Sequence, residues 1–394
     1  MKKSLLAPVG VVAVAALLLT GCTDNTKTSA AAASSSDGVI TVSESETECK
    51  VGAAEAPSGQ VTFRITNTGS KVNEFELLAA DGLRILGELE NIGPGVTRDL
   101  QMQVEPGDYQ VACVPGMIGA GTRLPFKISD SGAKVEVSAD RAQLQKDAVT
   151  GYTSYVKAQS AQLLTGTQEF VKAFKAGDEA KAKELYAKTR THFERIEPVA
   201  ESFGDLDPAM DLRLPDVESG TEWTGWHRAE RDLWPDKGYK AMTEAERKKI
   251  GDKLMSDTQK LYDLVYSSDF KIDVNTIGNG AMGLMDEVAA TKVTGEEEFY
   301  SRTDLYDFAS NVDGARVAFE TLEPLLKNSG DDELIAQLKE KFTAVQTLLA
   351  KYKDGEGYVS YDKLTKDQVK ELADSVNALS EPLSKLTKAA VKVK

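Results

Sequence analysis

Histidine is almost missing from this chain of 394 residues, which holds only His192 and His227. A centre built on two or three imidazoles, whether catalytic zinc or electron-transferring copper, is therefore hard to assemble. Cysteine is nearly as scarce, with Cys22, Cys49 and Cys113 as the full complement. Positive charge is in deficit as well: 47 Lys and Arg stand against 62 Asp and Glu, a formal charge of −15. Such a surface repels phosphate and attracts cations, which argues against nucleic acid as a partner. Beyond Leu19 no apolar run approaches the roughly 20 residues of a membrane span.

What is present begins with an export signal. Lys2 and Lys3 precede an apolar run from Leu5 to Leu19, broken only by Pro8 and Gly10, and then comes Leu19-Thr-Gly-Cys22. The run is short for a spanning helix and ends in small residues, so residues 1–21 read as a cleaved leader. The tetrapeptide resembles the bacterial lipobox, whose cysteine is lipidated. That resemblance implies a chain tethered through Cys22 to the outer side of a cytoplasmic membrane; an ordinary leader with a fortuitous cysteine is the alternative. Losing Lys2 and Lys3 takes the formal charge from −15 to −17. Residues 22–36, mostly Ser, Ala and Thr, read as a flexible tether.

Residues 37–139 show short alternating runs: Val39-Ile-Thr-Val, Gln60 to Ile65, Glu74 to Leu78, Asp99 to Val104, Tyr109 to Cys113 and Leu124 to Ile128. Turn signals such as Asn67-Thr-Gly, Pro94-Gly and Pro106-Gly-Asp separate them, the pattern of a small β-sandwich. The stretch from Pro106 through Cys113-Val-Pro-Gly-Met117 is similar to the copper loop of the cupredoxin family. Gly116 stands near that family's second histidine and Glu74 near its first, so a blue-copper centre is not expected. Cys49, Glu74 and Cys113 remain as metal candidates, with copper or iron as the ion. Against this, Cys49 and Cys113 are the one pair left for a disulfide in an oxidising compartment. Both readings stay open at this point.

Residues 147–394 are helical in period. Leu305, Phe308, Val312, Phe319, Leu322 and Leu326 share one stripe, and Leu334 to Leu349 and Val369 to Leu386 repeat the spacing, as in an antiparallel bundle. The expected architecture is thus a cupredoxin-like β-sandwich followed by an all-α bundle. One helix is expected from about Asp178 to Phe203, with Arg190, Glu194, Glu197 and Glu201 alongside its buried stripe. A charge run of that kind usually faces water. Asp257 interrupts the stripe of Leu254, Leu261 and Leu264, so it needs either a basic partner or a shared cation. Ser301 and Asp304 have the spacing of a capping box.

Trp223-Thr-Gly-Trp-His-Arg-Ala-Glu-Arg-Asp-Leu-Trp234 collects all three tryptophans and one of the histidines. His227 and Glu230, three apart, share one face of a helix. That segment, together with Thr189-Arg-Thr-His-Phe-Glu-Arg-Ile-Glu-Pro-Val-Ala-Glu201 and Gly295-Glu-Glu through Asn311-Val-Asp-Gly314, resembles the imelysin family. With the cupredoxin-like domain in front, the resemblance implies an extracytoplasmic iron-binding protein that hands iron to a membrane permease, with a haem peroxidase as third partner. The family's His-x-x-Glu falls on His227 and Glu230; Glu197, Asp257 and Glu287 are the carboxylates expected to complete the set, with Glu296 to Glu298 as weaker candidates. Arg302 departs from the family, whose members often carry histidine there.

The same family is also classed as peptidases. One imidazole in a motif does not make a zinc protease, which commonly needs two or three and a general base. A single imidazole among carboxylates instead suits iron, manganese or another oxygen-loving cation, and the chain is expected not to be an enzyme. Metal-bridged binding of an acidic polysaccharide is the other alternative.

Overall fold

Alternation of apolar and polar side chains gives the first domain its strands, and the computed structural model describes them within residues 39–392, apart from residues 81, 83–84, 133–137 and 218. The leader, the tether and Cys22 lie outside the described residues. Nine strands follow in order: β1 (Val39–Glu44), β2 (Cys49–Val51), β3 (Glu55–Pro57), β4 (Gly59–Asn67), β5 (Asn73–Ala79), β6 (Ile85–Ile92), β7 (Thr97–Val104), β8 (Gly107–Pro115) and β9 (Thr122–Ser129). They form two sheets, ordered β2-β1-β4-β7 and β3-β9-β8-β5-β6. Phe63, Phe75 and Phe126 meet between the sheets, Phe63 lying 5.2 Å and 5.3 Å from the other two rings.

A disulfide between Cys49 and Cys113 ties β2 of one sheet to β8 of the other, with Cα atoms 5.8 Å apart. Of the two readings left open above, the structure carries the disulfide, and a bonded pair offers no thiolate to a metal there. Glu74 is also misplaced for such a site. Phe75 and Cys113 are register partners and both belong to the interior cluster, whereas Glu74 pairs with Val114 on the outer face. Adjacent strand residues face opposite sides, so Glu74 and Cys113 cannot share an ion. The three residues do not fit copper.

The helical part comprises α1 (Ala139–Ala176), α2 (Glu179–Glu194), α3 (Leu206–Asp211), α4 (Trp226–Leu233), α5 (Glu244–Tyr266), α6 (Val274–Ala290), α7 (Asp304–Ser329), α8 (Asp332–Ala350), a hairpin of β10 (Lys353–Asp354) and β11 (Gly357–Tyr358), α9 (Lys366–Leu383) and α10 (Leu386–Val391). Helix α1 already begins at Ala139, where Ser138 caps it by accepting from the Arg141 N–H at 3.3 Å. Among the described residues no helix is long and apolar enough to cross a membrane.

The helix expected over 178–203 is interrupted. After α2 the chain turns into a 3-10 segment, Glu197–Phe203. Pro198 lacks the N–H that would bond the Glu194 carbonyl, and Asn311 Nδ2 donates to that carbonyl instead, at 3.1 Å. The capping box expected at Ser301 is likewise absent: Ser301 Oγ donates to Glu298 at 2.7 Å, and the Asp304 carboxylate accepts from the Glu298 N–H at 3.1 Å. Both residues brace the turn before α7 rather than its first helical bonds.

The 3-10 segment is pressed against α6. A Cβ at Gly280 would lie 1.7 Å from the Pro198 carbonyl oxygen, so no larger residue fits without a shift. Helix α6 in turn lies along β6 and β7, the edge strands of the two sheets, and closes that side of the sandwich. Met282 joins the sandwich cluster, and Asn275 exchanges two hydrogen bonds with the Gln103 backbone, at 2.8 Å and 3.0 Å. Arg98 on β7 pairs with Asp286.

Candidate metal centre

Gly225 opens α4 at φ 86°, and a Cβ there would stand 2.1 Å from the Met210 carbonyl oxygen. Only glycine lets the helix start that close to α3. Trp226 follows, fully buried, its ring 4.9 Å from Phe170 and 5.8 Å from Tyr186. This anchor fixes the rotation of α4 and carries His227 and Glu230 into the interior, at 2% and 0% exposure. Arg228 and Arg231 take the other side, over the Tyr239 ring at 5.7 Å and 5.0 Å.

His227 Nδ1 lies 3.2 Å from one Glu230 oxygen. The other Glu230 oxygen accepts from the backbone N–H groups of Tyr300 and Ser301 at 2.8 Å and 2.7 Å. Both oxygens are thus engaged in holding the imidazole and the loop before α7. The opposite ring nitrogen, Nε2, is buried without a hydrogen-bond partner. It stands 3.5 Å from Asp211 Oδ1, at the end of α3, and 3.5 Å from Glu297 Oε1. The ligand atoms of Asp211, His227 and Glu297 lie within 4.8 Å of one another, as do those of His227, Glu230 and Glu298.

Two buried cations flank this cluster. Arg190 on α2 is fully enclosed and reaches Glu194 at 2.5 Å, Glu298 at 2.6 Å, Asp307 at 3.5 Å and Glu297 at 3.6 Å, besides pairing with Asp211. Lys292 reaches Glu197 at 2.5 Å, Glu194 at 3.7 Å and Glu287 at 3.8 Å. Burial, reinforced by Glu230, pushes the Glu298 carboxyl well above its usual range. Glu297 goes the other way: burial opposes its charge, yet Lys292 and then His227 hold it well below that range. Burial and Arg190 disfavour the imidazolium of His227, but Glu230, Glu297 and Asp211 outweigh them and raise it. A cation that bound at Nε2 would have to displace the proton that these carboxylates favour.

The expected ligands divide by place. His227 and Glu230 are brought together. Glu197 and Glu287 sit one layer away around Lys292, where burial pushes their carboxyls up to about 7 and about 8. Asp257 is not near the site: its buried carboxylate pairs with Lys253 and, at 3.2 Å, with Lys260. Of the two alternatives for Asp257, the basic partner is the one found. His192 donates to or accepts from Gln159 at 2.8 Å, also apart from the site.

Sequence reasoning assigned no role to Asp211 and sent Arg190 and Glu194 to solvent. Yet Tyr186, Arg190 and Phe193 recur at steps of four and three and are all buried, the same signal that singled out Asp257. Asp211 and Glu297 sit in a short helix and a loop, without periodicity.

Glu74, Glu76, Glu88 and Glu90 share the outer face of β5 and β6, with Glu76 directly opposite Glu88. Burial, followed by their mutual repulsion and that of Glu201, pushes Glu74 and Glu88 well up.

The imelysin (peptidase M75) family model matches residues 148–386, and a cupredoxin-like domain model matches residues 11–122. The chain belongs to the imelysin family. Curated relatives align over most of their length: the iron uptake system component EfeO of Escherichia coli K12 is 37% identical over 355 residues, covering 88% of this chain and 90% of its own. The EfeO of Yersinia pseudotuberculosis is 38% identical over 357 residues with the same coverage. This imelysin is thus EfeO-like over nearly its whole length. The reduced auracyanin of Roseiflexus castenholzii aligns with 23% of this chain and 97% of its own at 16% identity and a TM-score of 0.20, too low a likeness to bear on the fold.

Proposed function

We propose that this imelysin is an extracytoplasmic iron-binding component of an uptake system, and that it holds its cargo at His227. The observation that carries this reading is the unpartnered His227 Nε2, aimed between Asp211 and Glu297 while Glu230 holds Nδ1. A carboxylate on the far nitrogen of a ligating histidine fixes its tautomer and orientation. Asp211, His227 and Glu297 then present one nitrogen and carboxylate oxygens, a donor set for Fe²⁺, Fe³⁺ or Mn²⁺.

The name of the relatives supports iron as the cargo, and a membrane permease and a haem peroxidase are the partners that such a system would supply. Peptidase chemistry finds no support in the site. His192 is occupied with Gln159, so a second imidazole is not at hand, and both oxygens of Glu230 are engaged where a general base would have to be free.

Titration of the full mature chain with Fe²⁺ under anaerobic conditions tests the proposal. The wild type is expected to bind with a heat that His227→Ala abolishes while far-ultraviolet circular dichroism stays unchanged. Equal binding by His227→Ala refutes the site, and hydrolysis of casein that is lost in the same variant would reinstate the peptidase.

A further inference from the structure

Arg190 is the side chain for which the reading so far has no use. Its guanidinium is wholly buried, which costs several kcal/mol unless partners compensate, and it has more of them than it needs. Asp211, Glu194, Glu298, Asp307 and Glu297 all lie within 4.0 Å of its nitrogens. Two of the five, Asp211 and Glu297, are the same carboxylates that face His227 Nε2.

A cation bound to Asp211, His227 and Glu297 would therefore share two ligands with a fixed positive charge. Arg190 cannot step aside by losing its proton, because a guanidinium stays charged in proteins. It can step aside by geometry. Glu194 and Glu298 hold it at 2.5 Å and 2.6 Å on its Nη2 and Nε, and Asp307 stands 3.5 Å from Nε. Releasing Asp211 and Glu297 would leave the guanidinium still paired on that side. Its Nε meets Glu298 as an ion pair without the alignment of a hydrogen bond, so that contact can gain alignment when the others are given up.

We infer that Arg190 is the resident counter-ion of the cargo site: it neutralises Asp211, shares Glu297 with Arg213 at 3.6 Å each while the site is empty, and the metal loads by taking both carboxylates from it. The inference rests on the His227 site proposed above. Its physical consequence is moderated affinity. The empty site is stabilised by the guanidinium, the loaded site is destabilised by like charge nearby, and both effects favour release of the cargo.

The test is calorimetric titration of the full mature chain with Mn²⁺, a redox-inert probe, in wild type, Arg190→Met and Arg190→Lys. Arg190→Met is expected to bind Mn²⁺ at least tenfold more tightly than wild type, with a lower melting temperature when metal-free that Mn²⁺ restores. Arg190→Lys keeps a cation there, though a buried ammonium can lose its proton as a guanidinium cannot, and should bind Mn²⁺ no more tightly than Arg190→Met; tighter binding overturns the inference. Unchanged or weaker binding by a folded Arg190→Met overturns the inference and makes Arg190 a scaffold for the ligands. Should Arg190→Met fail to fold, the wild-type structure loaded with Mn²⁺ decides: Asp211 and Glu297 are expected on the metal and off the guanidinium, and an ion pair kept to both overturns the exchange. A wild type that binds no Mn²⁺ overturns the His227 site itself, which separates that failure from this one.

Discussion

At the scale of single residues, the proposed site gives Glu230 the task of orienting the imidazole, where the His-x-x-Glu motif alone would make it a ligand. One oxygen holds His227 Nδ1 and the other takes two backbone N–H groups. Losing such an outer partner typically costs 10- to 100-fold in metal affinity, less than losing a ligand. Glu230→Gln is therefore expected to weaken iron binding by about 10- to 100-fold, where His227→Ala abolishes it; a calorimetric series comparing both with wild type checks this, and complete loss in Glu230→Gln would place Glu230 on the metal. The His-x-x-Glu pair was legible because both residues lie one helical turn apart on a strongly anchored helix. Asp211 was not, and Glu297 only as one of the weaker candidates Glu296 to Glu298, since they approach from α3 and from the loop before α7, and only the tertiary fold sets them 3.5 Å from His227. Arg190 was misjudged for a different reason: a charge inside an apolar stripe was read as a solvated face, although Tyr186 and Phe193 flank it on the buried side.

At the scale of elements, periodicity revealed most of the strands and the long helices, while β6 and the break after α2 escaped it. In β6, Glu88 and Glu90 alternate with Gly87 and Leu89, but the half-buried glutamates lie beside the helical part, Glu90 near Glu201 and Lys292. Burial, and next the Glu201 carboxylate on the 3-10 segment, push Glu90 up to about 7; Glu201 is raised to about 7 as well, by burial and then by Glu76 and Glu287. Both carboxyls are raised above their unfolded values, so the folded state holds more protons than the unfolded chain between about pH 4.5 and pH 7. Their contribution to stability is complete below that window and is lost as pH rises through about 7. Thermal melts with a chelator present should accordingly show the metal-free chain several degrees more stable near pH 5.5 than near pH 8. A flat or rising profile over that range would show that these two elements meet without shared protons.

At the scale of the whole molecule, two domains of different construction meet along α6, which buries Met282 against the sandwich and Gly280 against the 3-10 segment. The sandwich is closed by the Cys49–Cys113 disulfide, which leaves no thiolate for copper, and the proposed cargo site lies in the helical domain. The deficit of histidine seen at the outset agrees with this: one imidazole suffices where carboxylates supply the remaining donors. Both the fold class and the family were legible because they rest on patterns spread along the chain, whereas the proposed ligand set rests on three separate segments meeting at one point. Anomalous scattering at the iron edge from crystals of the iron-loaded chain tests that convergence most directly. A peak within bonding distance of His227 Nε2, Asp211 and Glu297 is predicted; iron found only on the glutamates of the β5–β6 face, or only at the chain surface, would contradict it.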